Sequence, residues 1–120
     1  MKSLGRLSIL AAGLLVAAVI PACAWSQNEP QRVEISAKRF AFMPGEITLK
    51  KGQPVTLVLK SMDVGHGLRI RGLGVDLKVK AGQTAEVTIT PDQAGDYTGH
   101  CSVFCGSGHG SMVFTVHVVA

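Results

Sequence analysis

The chain has 120 residues, enough for one domain, with a formal net charge of +4, 5% aromatic and 17% charged residues. Lys2 and Arg6 carry two of those charges; without them ten basic residues face eight acidic ones, too even a balance to argue for nucleic acid. A single tryptophan, Trp25, and the lack of an aromatic ladder exclude base stacking as a working principle.

In chain order, Leu7 to Ile20 is an unbroken run of fourteen apolar or small residues behind Lys2 and Arg6, ended by Pro21. A membrane span needs about 20 residues. The pattern therefore predicts an export signal over 1–24, cleaved after the A-x-A site Ala22-Cys23-Ala24. Ile20-Pro21-Ala22-Cys23 also resembles a lipoprotein box, so lipidation at Cys23 stands beside ordinary cleavage, and an uncleaved anchor is the third reading. The product is expected to be exported and periplasmic, touching a membrane only if lipidated or uncleaved. Residues 25–32 read as a short linker and 33–120 as the domain.

Short strands separated by turns follow. Val33 to Ser36 and Lys38 to Phe42 are β-like, and Pro44-Gly45 turns. Glu46 to Lys50 alternates, with Ile47 and Leu49 on one side. After the Lys51-Gly52-Gln53-Pro54 turn, Val55, Leu57 and Leu59 mark a core face opposite Thr56 and Lys60. Leu68 and Ile70 oppose Arg69 and Arg71; Leu77 and Val79 oppose Lys78 and Lys80. Ala85 to Thr90 buries Val87 and Ile89, Asp96 to His100 leads into a cysteine-bearing loop, and Met112 to Val119 closes the sheet. With no helical period and strands every 8 to 12 residues, the fold class is an all-β sandwich.

The loop carries the chemistry. Cys101, Cys105, His109 and Met112 have the spacing C-x3-C-x3-H-x2-M, with a second imidazole upstream at His66. Thiolate and thioether are soft ligands that favour copper, and imidazole suits copper too. One thiolate serves a single copper, whereas two can bridge a pair, so the set reads as a two-copper site. Two alternatives stay open: a structural Cys2His2 zinc site from His66, Cys101, Cys105 and His109, and a C-x3-C disulfide, which export would permit. Neither gives Met112 a role.

Phe42-x-Pro44-Gly45-x-Ile47, Lys51-Gly52-Gln53-Pro54-Val55, Asp63-Val64-Gly65-His66-Gly67, Gly95-Asp96-Tyr97 and the cysteine loop together resemble cupredoxin domains. More narrowly they resemble the CuA domain of subunit II of haem-copper oxidases and of nitrous oxide reductase, over nearly all of 33–120. The resemblance implies a Greek-key cupredoxin-like sandwich holding two coppers bridged by Cys101 and Cys105. His66 and Met112 would complete one copper; His109 and the backbone carbonyl of Val103 would complete the other. It implies electron transfer, with no substrate pocket or general base. Oxidase subunits usually carry Glu at the position of Val103, membrane helices before the domain, and an aromatic cluster where this chain has Leu68, Ile70 and Leu73. A free-standing carrier or an accessory to a terminal oxidase or reductase is therefore expected, exchanging electrons with a cytochrome c, another cupredoxin or an oxidase subunit. The competing function is a copper chaperone or storage protein that hands copper to an oxidase.

Other residues have plainer expectations. His100 reads as an exposed loop histidine and His117 as outward-facing. Met43 and Met62 read as core filler, and Tyr97 as packing under the loop. Asp63 is expected to orient the loop that carries His66. Arg69, Arg71, Lys78 and Lys80 form a local basic group, either a solvated face or a dock for an acidic partner.

Overall fold

The computed structural model describes Gly13 and residues 29–120. Apart from Gly13, the segment expected to be an export signal, with Cys23, lies outside the described residues, as does Trp25. Nine strands follow in chain order: β1 (Gln31–Lys38), β2 (Ala41–Met43), β3 (Glu46–Lys50), β4 (Val55–Ser61), β5 (His66–Ile70), β6 (Val75–Val79), β7 (Thr84–Ile89), β8 (Gly95–His100) and β9 (Val113–Val119). The only helical elements among the described residues are single 3-10 turns at Arg71–Leu73 and His109–Ser111. No helix among the described residues is long and apolar enough to cross a membrane.

Alternation explains the layering. One sheet has the order β2-β1-β4-β7 and the other β3-β9-β8-β5-β6. Each turns its apolar residues inward, because successive side chains on a strand point to opposite faces. Ile35, Leu57 and Leu59 from one sheet meet Leu68, Ile70, Phe114 and Val116 from the other, all fully buried. Burying each such side chain stabilises the fold by about 1.5–3 kcal/mol. Phe114 stands edge-on to Phe42, with ring centroids 5.9 Å apart and planes at 69°. Truncating Phe114 to alanine should cost about 3–5 kcal/mol.

Two pairings are parallel, β1 with β4 and β3 with β9. The Pro44-Gly45 turn carries the chain from the end of β2 in the first sheet to β3 in the second. The sandwich is thus the all-β, cupredoxin-like architecture expected from the alternation.

Three expectations need correction. Met43 and Met62 are exposed, at 56% and 57%, not core filler. Met43 ends a three-residue strand at the sheet edge, and Met62 lies just past the end of β4, where no second layer covers it. Val87 and Ile89 are only half-buried because β7 is the other edge strand of its sheet. Tyr97 does not lie under the cysteine loop: its ring packs against Gly72 and its hydroxyl donates to the Gln93 carbonyl at 2.8 Å.

Candidate metal centre

Two separate parts of the second sheet bring the donors together. His66 opens β5, and the Cys101–Met112 segment joins β8 to β9. The Cys101 amide donates to the Met112 carbonyl at 3.2 Å, continuing the β8–β9 ladder and setting these two residues side by side at the loop base. Within the loop, the amides of His109, Ser111 and Met112 donate to Gly106, Gly108 and His109 carbonyls, which winds the segment into a tight turn.

Cys101, Cys105, Met112 and His66 are all buried. The two Sγ atoms lie 3.7 Å apart, well beyond a disulfide bond of about 2.05 Å, and both cysteines are free. His66 Nδ1 faces Cys101 Sγ at 3.9 Å and His109 Nδ1 faces Cys105 Sγ at 3.8 Å. Met112 Sδ is 3.7 Å from Cys105 Sγ, and the Val103 carbonyl oxygen is 3.1 Å from Cys101 Sγ. His66, Cys101 and Cys105 form a compact trio whose donor atoms lie within 4.8 Å of one another. All six residues singled out in the sequence therefore converge on one spot.

Electrostatics fix the orientation of His66. Its Nε2 is 2.6 Å from Asp63 Oδ1. The Arg39 amide, donating to Asp63 Oδ2 at 2.9 Å, is the main reason the Asp63 carboxyl is held down to about 2. Burial opposes that shift and the hydrogen bond from His66 adds to it. An ionised carboxylate only accepts, so Nε2 carries the proton and the Nδ1 lone pair points at the sulfur. Ser61 braces the same loop by donating to the Val64 carbonyl. Burial pushes the Cys105 thiol up to about 11, and the neighbouring Cys101 adds to the shift. A Cys105 thiolate at neutral pH thus calls for a cation beside it. The buried soft sulfurs and the two imidazole nitrogens aimed at them fit copper.

Two glycines let the pieces approach. A Cβ on Gly67 would sit 2.2 Å from Ser102 Oγ, and one on Gly108 would sit 2.5 Å from the Phe40 ring. Sequence reasoning missed Phe40 and Arg39, which lie at the β1–β2 tip. Phe40 packs beneath Gly106 and Gly108, while Arg39 Nε–H donates to the Cys105 carbonyl at 3.1 Å. The Arg39–Cys105 contact joins residues 66 positions apart, and no local pattern signals it or the Phe40 contacts.

The other histidines stand clear of the centre. His100 ends β8 and is exposed. His117 lies on the outer sheet face, as expected, with Nδ1 2.7 Å from Asp96 Oδ1 and Nε2 3.0 Å from Glu46 Oε2. Arg69 pairs with Asp76 at 3.2 Å, so the basic group is not uniformly positive. Beside Cys101 and Ser102, a surface groove of about 600 Å³ runs past Arg69, Arg71, Tyr97 and His100.

A two-layer β-sandwich with buried cysteine, histidine and methionine side chains at one end defines a cupredoxin-like domain. The chain belongs to the cupredoxin-like domain family, which it matches over residues 8–114. It is homologous to cytochrome c oxidase subunit II and to the CuA domain of nitrous-oxide reductase. Cytochrome c oxidase subunit 2 of Thermus thermophilus is 31% identical over 100 residues, 82% of this chain and 74% of that protein. Nitrous-oxide reductase of Pseudomonas fluorescens is 33% identical over 86 residues, 68% of this chain. The chain spans 60% of a second Thermus thermophilus subunit 2 and 14% of that reductase. The periplasmic domain of subunit II of cytochrome oxidase from Bradyrhizobium japonicum shares the fold, with a TM-score of 0.68 at 17% identity, over 74% of this chain and 83% of that one.

Proposed function

We propose that this chain is an exported, periplasmic electron-transfer protein in which His66, Cys101, the Val103 carbonyl, Cys105, His109 and Met112 hold a binuclear copper centre. The observation that carries the reading is the pair of buried sulfurs 3.7 Å apart, approached by one imidazole nitrogen each at 3.9 and 3.8 Å. Bound there, a copper pair would accept and release one electron, shared across both metals. Cys101 and Cys105 would hold the pair through their sulfurs, with His66 and Met112 as donors to one metal and His109 and the Val103 carbonyl as donors to the other. Asp63 holds His66 in the donor tautomer, and the packed sandwich around Phe114 and Leu68 excludes water and restrains the loop. That restraint would hold these residues nearly in place whichever redox state the metal adopts, which favours rapid electron transfer. Val103 supplies a carbonyl and no carboxylate, which suits a carrier or accessory component. The groove beside Cys101, with Arg71 and His100 on its walls, is the docking face for an acidic redox partner, so exchange should weaken with salt.

The test is reconstitution of the purified domain with copper. Two coppers per chain and an EPR signal of one electron shared by two nuclei support the reading. One copper with a blue mononuclear spectrum would sink the binuclear assignment. A loaded protein that is inert to redox partners but passes copper to an apo-oxidase subunit would replace the carrier with a delivery protein.

A further inference from the structure

We propose that Arg39 is a positioning residue of this copper centre, tying the His66 loop to the Cys105 loop and, through its charge, raising the reduction potential. The inference rests on the copper reading above. Its basis is that one residue at the tip between β1 and β2 reaches both halves of the donor set. The Arg39 backbone N–H holds Asp63 at 2.9 Å, and Asp63 in turn holds His66 at 2.6 Å. The Arg39 side chain turns the other way, and its Nε–H grips the Cys105 carbonyl at 3.1 Å. Phe40 follows, seated against Gly106 and Gly108 in the same ligand loop. A tip that only had to reverse the chain would need none of these contacts. Among the described residues no carboxylate forms an ion pair with the Arg39 guanidinium. Its charge is spent on a carbonyl whose own residue supplies one of the two sulfurs.

The sign of the effect follows from charge alone. Reduction adds one electron, breaks no bond and moves no proton, so the oxidised centre carries one more positive charge than the reduced one. A cation fixed beside it disfavours the oxidised form. Removing Arg39 should therefore make the centre harder to reduce. Any substitution other than proline keeps the backbone N–H on Asp63, so the His66 side of the clamp survives and the side-chain contribution can be read by itself.

The experiment compares the wild-type protein with Arg39→Met and Arg39→Lys in two states. In redox titration of the copper-loaded proteins, Arg39→Met should raise the oxidised-to-reduced ratio at fixed potential roughly three- to tenfold. Tenfold corresponds to about 59 mV for one electron. Arg39→Lys, which keeps the charge, should restore most of the wild-type ratio. In the copper-free proteins, amide hydrogen exchange across Gly106–His109 should be faster in both variants, because neither keeps the Arg39 Nε–H on the Cys105 carbonyl. If Arg39→Met proves unable to fold, Arg39→Lys alone decides the matter: faster exchange with a near-wild-type potential supports the proposal, and wild-type exchange overturns it. Equal shifts in both variants would overturn the charge argument, and an unmoved Arg39→Met would overturn the whole proposal while leaving the copper centre in place. A wild-type protein that takes up no copper would overturn both readings at once.

Discussion

His66 and Asp63 are joined by a 2.6 Å hydrogen bond that decides which imidazole nitrogen faces the cysteine sulfurs. The carboxylate that does this is itself fastened by the Arg39 amide, so the imidazole is oriented through a chain of two hydrogen bonds.

Asp63→Ala should lower copper affinity about 10–100-fold, the usual cost of losing a ligand-orienting partner. Competition with a copper chelator checks it. The same carboxylate makes stability pH-dependent. Its folded value, about 2, lies below the ordinary 3.8, so its contribution is present above pH 3.8 and is lost as pH falls through about 2. Solvent screening at this partly exposed group limits that contribution to about 1 kcal/mol. Acid unfolding of the copper-free protein should therefore be less steep in Asp63→Asn than in the wild type over that window.

Cys101→Ser and Cys105→Ser should each abolish the shared-electron signal, because a hydroxyl is a harder ligand and does not bridge copper as a thiolate does. Val103→Ala should retain both coppers, since the carbonyl remains. Metal analysis and EPR read both outcomes; loss of both coppers from a folded Val103→Ala would count against the backbone donor.

Met112→Leu is close to volume-conserving in a fully packed site, and should cost less than about 1.5 kcal/mol in stability. Removing a weak thioether donor should leave copper bound and raise the reduction potential, because the oxidised state loses more than the reduced one. His66→Ala and His109→Ala should instead lose metal. Voltammetry alongside metal content separates the two classes.

His117 sits between Glu46 and Asp96, spanning β3, β9 and β8. Glu46 first, then Asp96, raise its pKa above 6.5. Its stabilising contribution is thus fully present below pH 6.5 and is lost as pH rises through the higher folded value. Melting temperature against pH should decline over that range in the wild type and decline less in a Glu46→Gln, Asp96→Asn double variant.

The inward faces of β4, β5 and β6 could be read directly, because Leu57, Leu59, Leu68, Ile70 and Leu77 recur at every second position and so share the buried side of their strands. The convergence of His66, Cys101, Cys105, His109 and Met112 was equally legible, since it follows from residue type and spacing within a short loop and its upstream histidine. Arg39, Phe40 and the burial of the β7 residues were not. Their environments depend on which strand lies at an edge and which distant loop folds over them, and neither is encoded in local period. Met43 and Met62 show the same limit from the other side: an apolar side chain tells nothing of whether a second layer reaches it.

The strand that follows the ligand loop, β9, is hydrogen-bonded between β3 and β8 inside its sheet. A nascent chain whose β9 is still held back therefore lacks the floor on which Cys105, His109 and Met112 are arranged. Any metal the site takes, as proposed above, must arrive after β9 has paired. Its identity would then be settled where the fold is completed, by the ions present there, because ligand affinity alone ranks copper high without guaranteeing its supply.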